Sequence, residues 1–247
     1  MKRDSLVNYS YFIYGNTTVK SIEQGTGFLA KIKSKIYLVT AIHVLNGWEI
    51  FKNKYIQPYP DTLYIRVYKK SNNEPDFIPF NITQIKKLNI SPNGYETPDI
   101  YFYPIDIPKK YKVYTLEKLI DKFSPPKLID SIFIYGYPVN NEVNDPFEYL
   151  RLPVTLGIGL LKSDYKLPLT WEINGKTDYI NYQVAINSGI RPGSSGSPAY
   201  FIKNSGSSKN DKIIFGGLVF SGDFEAGWAY IIRPEYIKSI LSKMQNQ

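Results

Sequence analysis

Short apolar runs rich in β-branched and aromatic residues, each cut off by Gly, Pro, Asn or Asp, make up most of this chain. "TLYIRVYKK", "DIYFYPI", "DSIFIYGYPV", "VTLGIGLLKS", "INYQVAI", "SPAYFIK", "KIIFGGLVFSG" and "GWAYIIR" follow one another, and "GTGFLAKIKSKIYLVTAIHVL" precedes them all. Segments of that length and composition, separated by turn formers, fit strands of a sandwich or barrel, so the pattern predicts an all-β fold. Two stretches depart from it. Residues 108–127, "PKKYKVYTLEKLIDKFSPPK", are Lys-rich and Pro-flanked, with a short helix expected over Leu116–Phe123, and read as a crossing between two β halves. After Pro234, helical spacing puts Tyr236, Ile237, Ile240, Leu241 and Met244 on one face, which predicts a short amphipathic helix closing the chain. The expected organisation is an N-terminal β half over 1–115, a link over 116–127, a C-terminal β half over 128–233 and the helix over 234–247. "NSGSSKND", residues 204–211, reads as the loop of a hairpin.

Composition narrows the chemistry. At 247 residues with 43% apolar side chains, the chain is long enough to bury a sizeable core. It has no cysteine, which excludes disulfides, cysteine-type zinc sites and a thiol nucleophile together. No cofactor or metal is predicted. The start, "MKRDSLVNYSYFIYGNTT", lacks the apolar run and cleavage site of a signal peptide, and no stretch approaches the ~20 apolar residues that span a bilayer. The expectation is a soluble protein kept in the cytoplasm. The net charge of +8 is carried by scattered lysines, as in "KIKSK" and "IPKKYK". It reads as a solvated surface, so no nucleic-acid or membrane partner is expected. The oligomeric state is not legible.

One residue type concentrates the search for a site. The chain has a single histidine, His43, in "YLVTAIHVL", where a buried strand leads into it. A histidine there is an ordinary packed side chain unless other groups converge on it. A serine nucleophile needs a base in hydrogen-bond reach, and the base needs a carboxylate to fix its tautomer and stabilise its charged form. The base, if an imidazole, is then His43. For the carboxylate, Asp61, Asp76 and Asp106 sit in Pro-rich settings that suit solvated turns. Asp99, in "TPDIYFYPI", opens an apolar strand and can be aimed inward. "RPGSSGSPAY", residues 191–200, is either a flexible linker or a tight turn presenting one serine.

In order along the chain, "GTGFLA", "YLVTAIHVL", "PDIYFY" and "RPGSSGSP" resemble the successive motifs of the trypsin-like (chymotrypsin-fold) serine peptidases. "SIFIYGYP", "VTLGIGLLKS" and "GGLVFSG" further resemble second-barrel strands of the bacterial high-temperature-requirement branch, without the peptide-binding module that often follows there. The resemblance implies two six-stranded antiparallel β-barrels packed face to face, with the short C-terminal helix. It implies His43 as general base, Asp99 as its orienting carboxylate and Ser195 as nucleophile, with the N–H groups of Gly193 and Ser195 forming an oxyanion hole. It places substrate binding on Gly189, Phe220, Ser221 and Gly222. Gly189 is not acidic, which favours an uncharged side chain before the scissile bond, while Asp223 and Glu225 lie close enough in sequence to keep a lysine or arginine preference open. Ser194 stands where zymogen-type relatives carry an aspartate that pairs with a freed amino terminus, so no activating cleavage is expected. The implied activity is a serine endopeptidase acting on protein or peptide substrates through an acyl-enzyme. The alternative is an inactive module of the same fold that binds protein or nucleic acid through its basic, Tyr-rich surface.

Overall fold

The computed structural model describes residues 3–16, 22–49, 54–55, 59–85, 98–122, 131–138, 154–161, 171–173, 176–178, 181–188, 191–203, 212–223 and 227–246. The N-terminal half holds β1 (Tyr11–Asn16), β2 (Ile22–Ile32), β3 (Lys35–Thr40), the one-turn helix α1 (Ile42–Asn46), β4 (Trp48–Glu49), β5 (Lys54–Tyr55), β6 (Thr62–Lys69), β7 (Pro75–Asn81), β8 (Tyr101–Pro104) and β9 (Tyr111–Lys112). Seven of these strands form a curled antiparallel sheet in the order β7-β6-β1-β2-β3-β8, with β9 also paired to β6. Helix α2 (Glu117–Asp121) follows, inside the span where the sequence predicts one.

The second half contains β10 (Ser131–Gly136), β11 (Thr155–Leu161), β12 (Trp171–Ile173), β13 (Lys176–Asp178), β14 (Asn181–Ser188), β15 (Pro198–Lys203), β16 (Lys212–Asp223), β17 (Trp228–Ile232) and α3 (Pro234–Asn246). Six strands close into a barrel in the order β10-β11-β14-β17-β16-β15, while β12 and β13 make a separate hairpin. The architecture is the chymotrypsin-like double barrel with a C-terminal helix. The amino-terminal sheet exceeds the expected six strands by β9, a two-residue strand that pairs Lys69 with Tyr111.

Period-2 alternation in the second barrel serves two cores at once. Ile132 and Ile134 of β10, Ala199 and Phe201 of β15, and Ala229 and Ile231 of β17 pack into the barrel interior. Their neighbours Phe133, Tyr135, Tyr200 and Ile232 point the other way, into a larger core shared with Phe28, Leu29, Leu38 and Leu45 of the first half. Phe28 of β2 meets Phe215 of β16 edge to face at 5.5 Å between ring centroids. Ile237 and Leu241 of α3 are buried in the same core, with Tyr236, Ile240 and Met244 packed beside them, the face that helical spacing predicts. Lys238 of α3 donates to the Asp121 carbonyl at 2.9 Å, pinning α3 to the end of α2.

Two elements depart from the pattern reading. β7 contains Pro75 and Pro79, which mark "PDFIPFN" as loop in the sequence, yet it pairs with β6 from Thr62↔Asn81 to Tyr68↔Pro75. It lies at the end of the sheet order. Prolines four positions apart face the same side, and on an edge strand that side can do without donors. The strand-like run "YLVTAIHVL" stops being strand at Thr40 and turns into α1, so His43 sits on a helical turn just past the strand end. Gly47 ends that turn at φ 71°, donating its N–H to the His43 carbonyl at 3.0 Å. The loop expected over 204–211 lies outside the described residues, and β15 and β16 pair up to Lys203↔Lys212 on either side of it.

Candidate active site

β3 pairs with β8 in the register Thr40↔Tyr101. Continued two residues past the ends of both strands, that register sets Asp99 across from Ile42, next to His43. Asp99 is the centre of a tight turn in which the Ile100 N–H donates to the Pro98 carbonyl at 2.7 Å. Its side chain is 4% exposed. One oxygen accepts the backbone N–H of His43 at 3.1 Å, and the other lies 2.5 Å from His43 Nδ1. A carboxylate at Nδ1 selects the tautomer with the proton on that nitrogen and leaves Nε2 as the acceptor. Packing holds the turn that carries His43. Tyr59 donates its hydroxyl to the Val44 carbonyl at 2.6 Å. Gly25, having no side chain, lets Val44 approach β2 where a Cβ would collide with it.

"RPGSSGSP" is rigid and mostly buried. The Ser194 N–H donates to the Arg191 carbonyl at 3.0 Å, and the Ser197 N–H donates to the Ser194 carbonyl at 3.0 Å. Two β-turns therefore follow in succession and share Ser194. Each carries at its third position a glycine with positive φ, Gly193 at 91° and Gly196 at 86°, the signature of type II turns. Ser195 stands at the second position of the later turn and is partly exposed, whereas Gly193, Ser194, Gly196 and Ser197 are buried. The Ser194 hydroxyl stays within its own turn, accepting the Arg191 N–H at 3.4 Å.

This double turn is fastened to both halves. In the second barrel, Gly196 N–H donates to Val219 at 2.7 Å and Val219 N–H to Ser197 at 2.9 Å, which ties the turn to β16. In the first half, the Thr26 N–H donates to the Ser195 carbonyl at 2.8 Å, and the Thr26 hydroxyl donates to the Gly193 carbonyl at 2.9 Å. Thr40, three residues before His43, donates its hydroxyl to the Thr26 carbonyl at 2.6 Å. The structure thus brings His43 and Asp99 into direct contact and links their strand to the Ser195 turn through Thr26. Among the described residues, neither the Ser195 hydroxyl nor His43 Nε2 makes a hydrogen bond. Such bonds often tighten only when substrate is present.

The other candidates separate clearly. Phe220, Ser221 and Gly222 lie in β16, where the pairing with β17 shifts register between Val219 and Ser221 and then runs on to Asp223↔Trp228. The pairing of β16 with β15 stops at Pro198↔Leu218, so Ser221 and Gly222 have a strand partner on one side only among the described residues, and Phe220 lies at the register shift. Gly189 lies outside the described residues. Asp61 and Asp106 are exposed, as their sequence settings suggest. Asp76 is instead a half-buried residue of β7 that accepts the Tyr111 hydroxyl at 2.7 Å, which holds its carboxyl below the usual carboxylate range. Sequence reasoning missed Thr26 and Thr40. The available signal was a polar residue between two glycines, Gly25 and Gly27, where close approach of other groups is expected.

The class that the architecture defines is one of fold: the chain has the fold of the chymotrypsin-like proteases. It is similar over 97% of its length to the Rv3671c protease from M. tuberculosis in its active form, covering 86% of that chain at 15% identity with a TM-score of 0.50. A mutant of tobacco etch virus protease is similar over 100% of this chain and 82% of its own, at 13% identity and a TM-score of 0.51. Catalytically active tobacco etch virus protease complexed with product matches 99% of this chain and 82% of its own, at 11% identity and a TM-score of 0.51. No protein-family model matches the sequence, and no curated protein matches it. No helix among the described residues is long and apolar enough to cross a membrane.

Proposed function

We propose that the protein is a serine endopeptidase working through an acyl-enzyme. The observation that carries this reading is the buried Asp99 carboxylate gripping His43 at both its backbone N–H and Nδ1. That grip prepares Nε2 to take a proton, and the chain's only histidine stands on the helical turn that follows β3, a strand tied through Thr40 and Thr26 to the turn that displays Ser195. The Ser195 hydroxyl attacks the scissile carbonyl and gives its proton to His43 Nε2. Asp99 stabilises the resulting imidazolium without taking the proton itself. The N–H groups of Gly193 and Ser195 donate to the oxyanion of the tetrahedral intermediate, a contribution of ~2.7 to 4 kcal/mol per donor. His43 then returns its proton to the leaving amine as the C–N bond breaks. Water, deprotonated by the same imidazole, adds to the acyl carbonyl, the ester bond to Ser195 breaks to release the acid, and His43 returns the proton to the Ser195 oxygen.

The one-sided pairing of Ser221 and Gly222, just past the register shift at Phe220, supports an extended peptide adding to β16 along these three residues, with main-chain hydrogen bonds supplying affinity. The closed turn around Ser194 supports activity without a freed amino terminus, because its hydroxyl and N–H are both engaged inside the turn.

Labelling by a fluorophosphonate probe tests the reading. The wild-type protein is expected to label, while Ser195→Ala and His43→Ala do not. Equal labelling of all three overturns it, and salt-sensitive retention on immobilised DNA without any labelling supports the inactive binding module in its place.

A further inference from the structure

Thr26 is fully buried and makes four hydrogen bonds that converge on the proposed site. Its N–H holds the Ser195 carbonyl at 2.8 Å and its hydroxyl holds the Gly193 carbonyl at 2.9 Å. The same hydroxyl accepts the Tyr137 N–H at 2.9 Å, so its proton has one direction to go. Its carbonyl accepts the Thr40 hydroxyl at 2.6 Å and occupies the space that a Cβ on Gly196 would need.

The two gripped carbonyls belong to the peptide planes 193–194 and 195–196. Between them lies the plane that carries the Ser195 N–H, and immediately before them the plane that carries the Gly193 N–H. Those are the two donors that an oxyanion would use. A peptide plane cannot rotate while its carbonyl is fixed, so one threonine brackets the plane of the Ser195 N–H and holds the plane next to that of the Gly193 N–H. Without the hydroxyl, the Gly193 carbonyl loses a buried partner and the first turn is free to reorient.

We infer that Thr26 is a positioning residue for the oxyanion-binding turn and, through Thr40, sets that turn relative to His43. This deepens the serine endopeptidase reading and rests on it. A purely structural threonine would affect stability and activity together. A positioning threonine acts on the chemical step within each folded molecule.

The test compares Thr26→Val, Thr26→Ser and Thr26→Ala with wild type, counting active sites by burst titration so that kcat refers to folded sites alone. Thr26→Val keeps the shape and loses the hydroxyl. It is expected to lower kcat by ~10- to 100-fold, with KM within about twofold and the acid limb of the pH profile unmoved, since the Asp99 to His43 contact is left intact. Thr26→Ser restores the hydroxyl and is expected to recover kcat to within a few-fold, even where the missing methyl lowers the melting temperature. If Thr26→Val does not fold, the comparison of Ser with Ala carries the same contrast. A Val or Ala variant with wild-type kcat per titrated site overturns the inference while leaving the endopeptidase reading in place. Absence of Ser195-dependent turnover in the wild type overturns both.

Discussion

Asp99 binds His43 twice, at the backbone N–H and at ring Nδ1, with distances of 3.1 and 2.5 Å. The backbone bond survives when the carboxylate becomes an amide, but the ring bond does not survive with the right tautomer, because an amide nitrogen facing Nδ1 demands an acceptor there. Asp99→Asn is therefore expected to fold with near-native stability and to lose roughly 10³- to 10⁴-fold in kcat. Steady-state kinetics beside a thermal melt separates the two effects. A variant with unchanged kcat would show that the carboxylate only holds the loop.

Gly196 has φ 86°, and a Cβ on it would collide with the carbonyl oxygen of Thr26. Both the strained dihedral and the collision oppose any side chain, so Gly196→Ala is expected to cost at least ~2 kcal/mol, a drop of ~4–8 °C in Tm. Urea unfolding monitored by fluorescence reads this directly. Wild-type stability would mean that the turn relaxes far more easily than its hydrogen bonds suggest.

The edge-to-face pair of Phe28 and Phe215 joins the two halves, and both rings are fully buried. Truncating either to alanine is expected to cost ~3–5 kcal/mol. Because each ring contacts the other across the interface, the double variant is expected to cost less than the sum by ~0.5–1.5 kcal/mol. Strict additivity in equilibrium unfolding would argue that the halves do not lean on this contact.

Burial pushes the Tyr137 hydroxyl up to about 12, against a smaller lowering by Arg66, and raises Tyr11 and Tyr200 as well. In the unfolded chain these phenols ionise near pH 10, so above that pH the folded state binds more protons than the unfolded one. Stability is fully present below pH 10 and falls as the pH climbs toward the folded values. Denaturation midpoints measured from pH 8 to 11.5 are expected to stay level and then decline. Tyr137→Phe is expected to flatten that decline. A midpoint independent of pH up to 11.5 would contradict the burial of these hydroxyls.

The features that were legible in the sequence are those written in local pattern. Ile237 and Leu241 announce their helix because 3.6-residue spacing is a property of neighbouring positions. His43 stands out because there is no other histidine, and Asp99 because an aspartate opening an apolar strand has few places to point. Pro75 and Pro79 misled because the rule against proline in strands does not apply at a sheet edge, and edge position is decided by the whole topology. The flanking glycines mark Thr26 as a place of close approach, but they do not name what approaches. Its hydroxyl meets Gly193 at a separation of 167 residues, and no periodicity or composition along one strand reports on a partner that far away.

That separation makes the site a late arrival in the life of the chain. His43, Asp99 and Thr26 all belong to the half that is synthesised first, yet the carbonyls that Thr26 grips come only with residues 193 and 195. A nascent or truncated polypeptide ending before that turn owns an imidazole and a carboxylate but nothing for them to act with. On the proposed reading, the geometry serves as a completion check: the turn that displays Ser195 is held against the first half only once the second barrel has closed and docked against it.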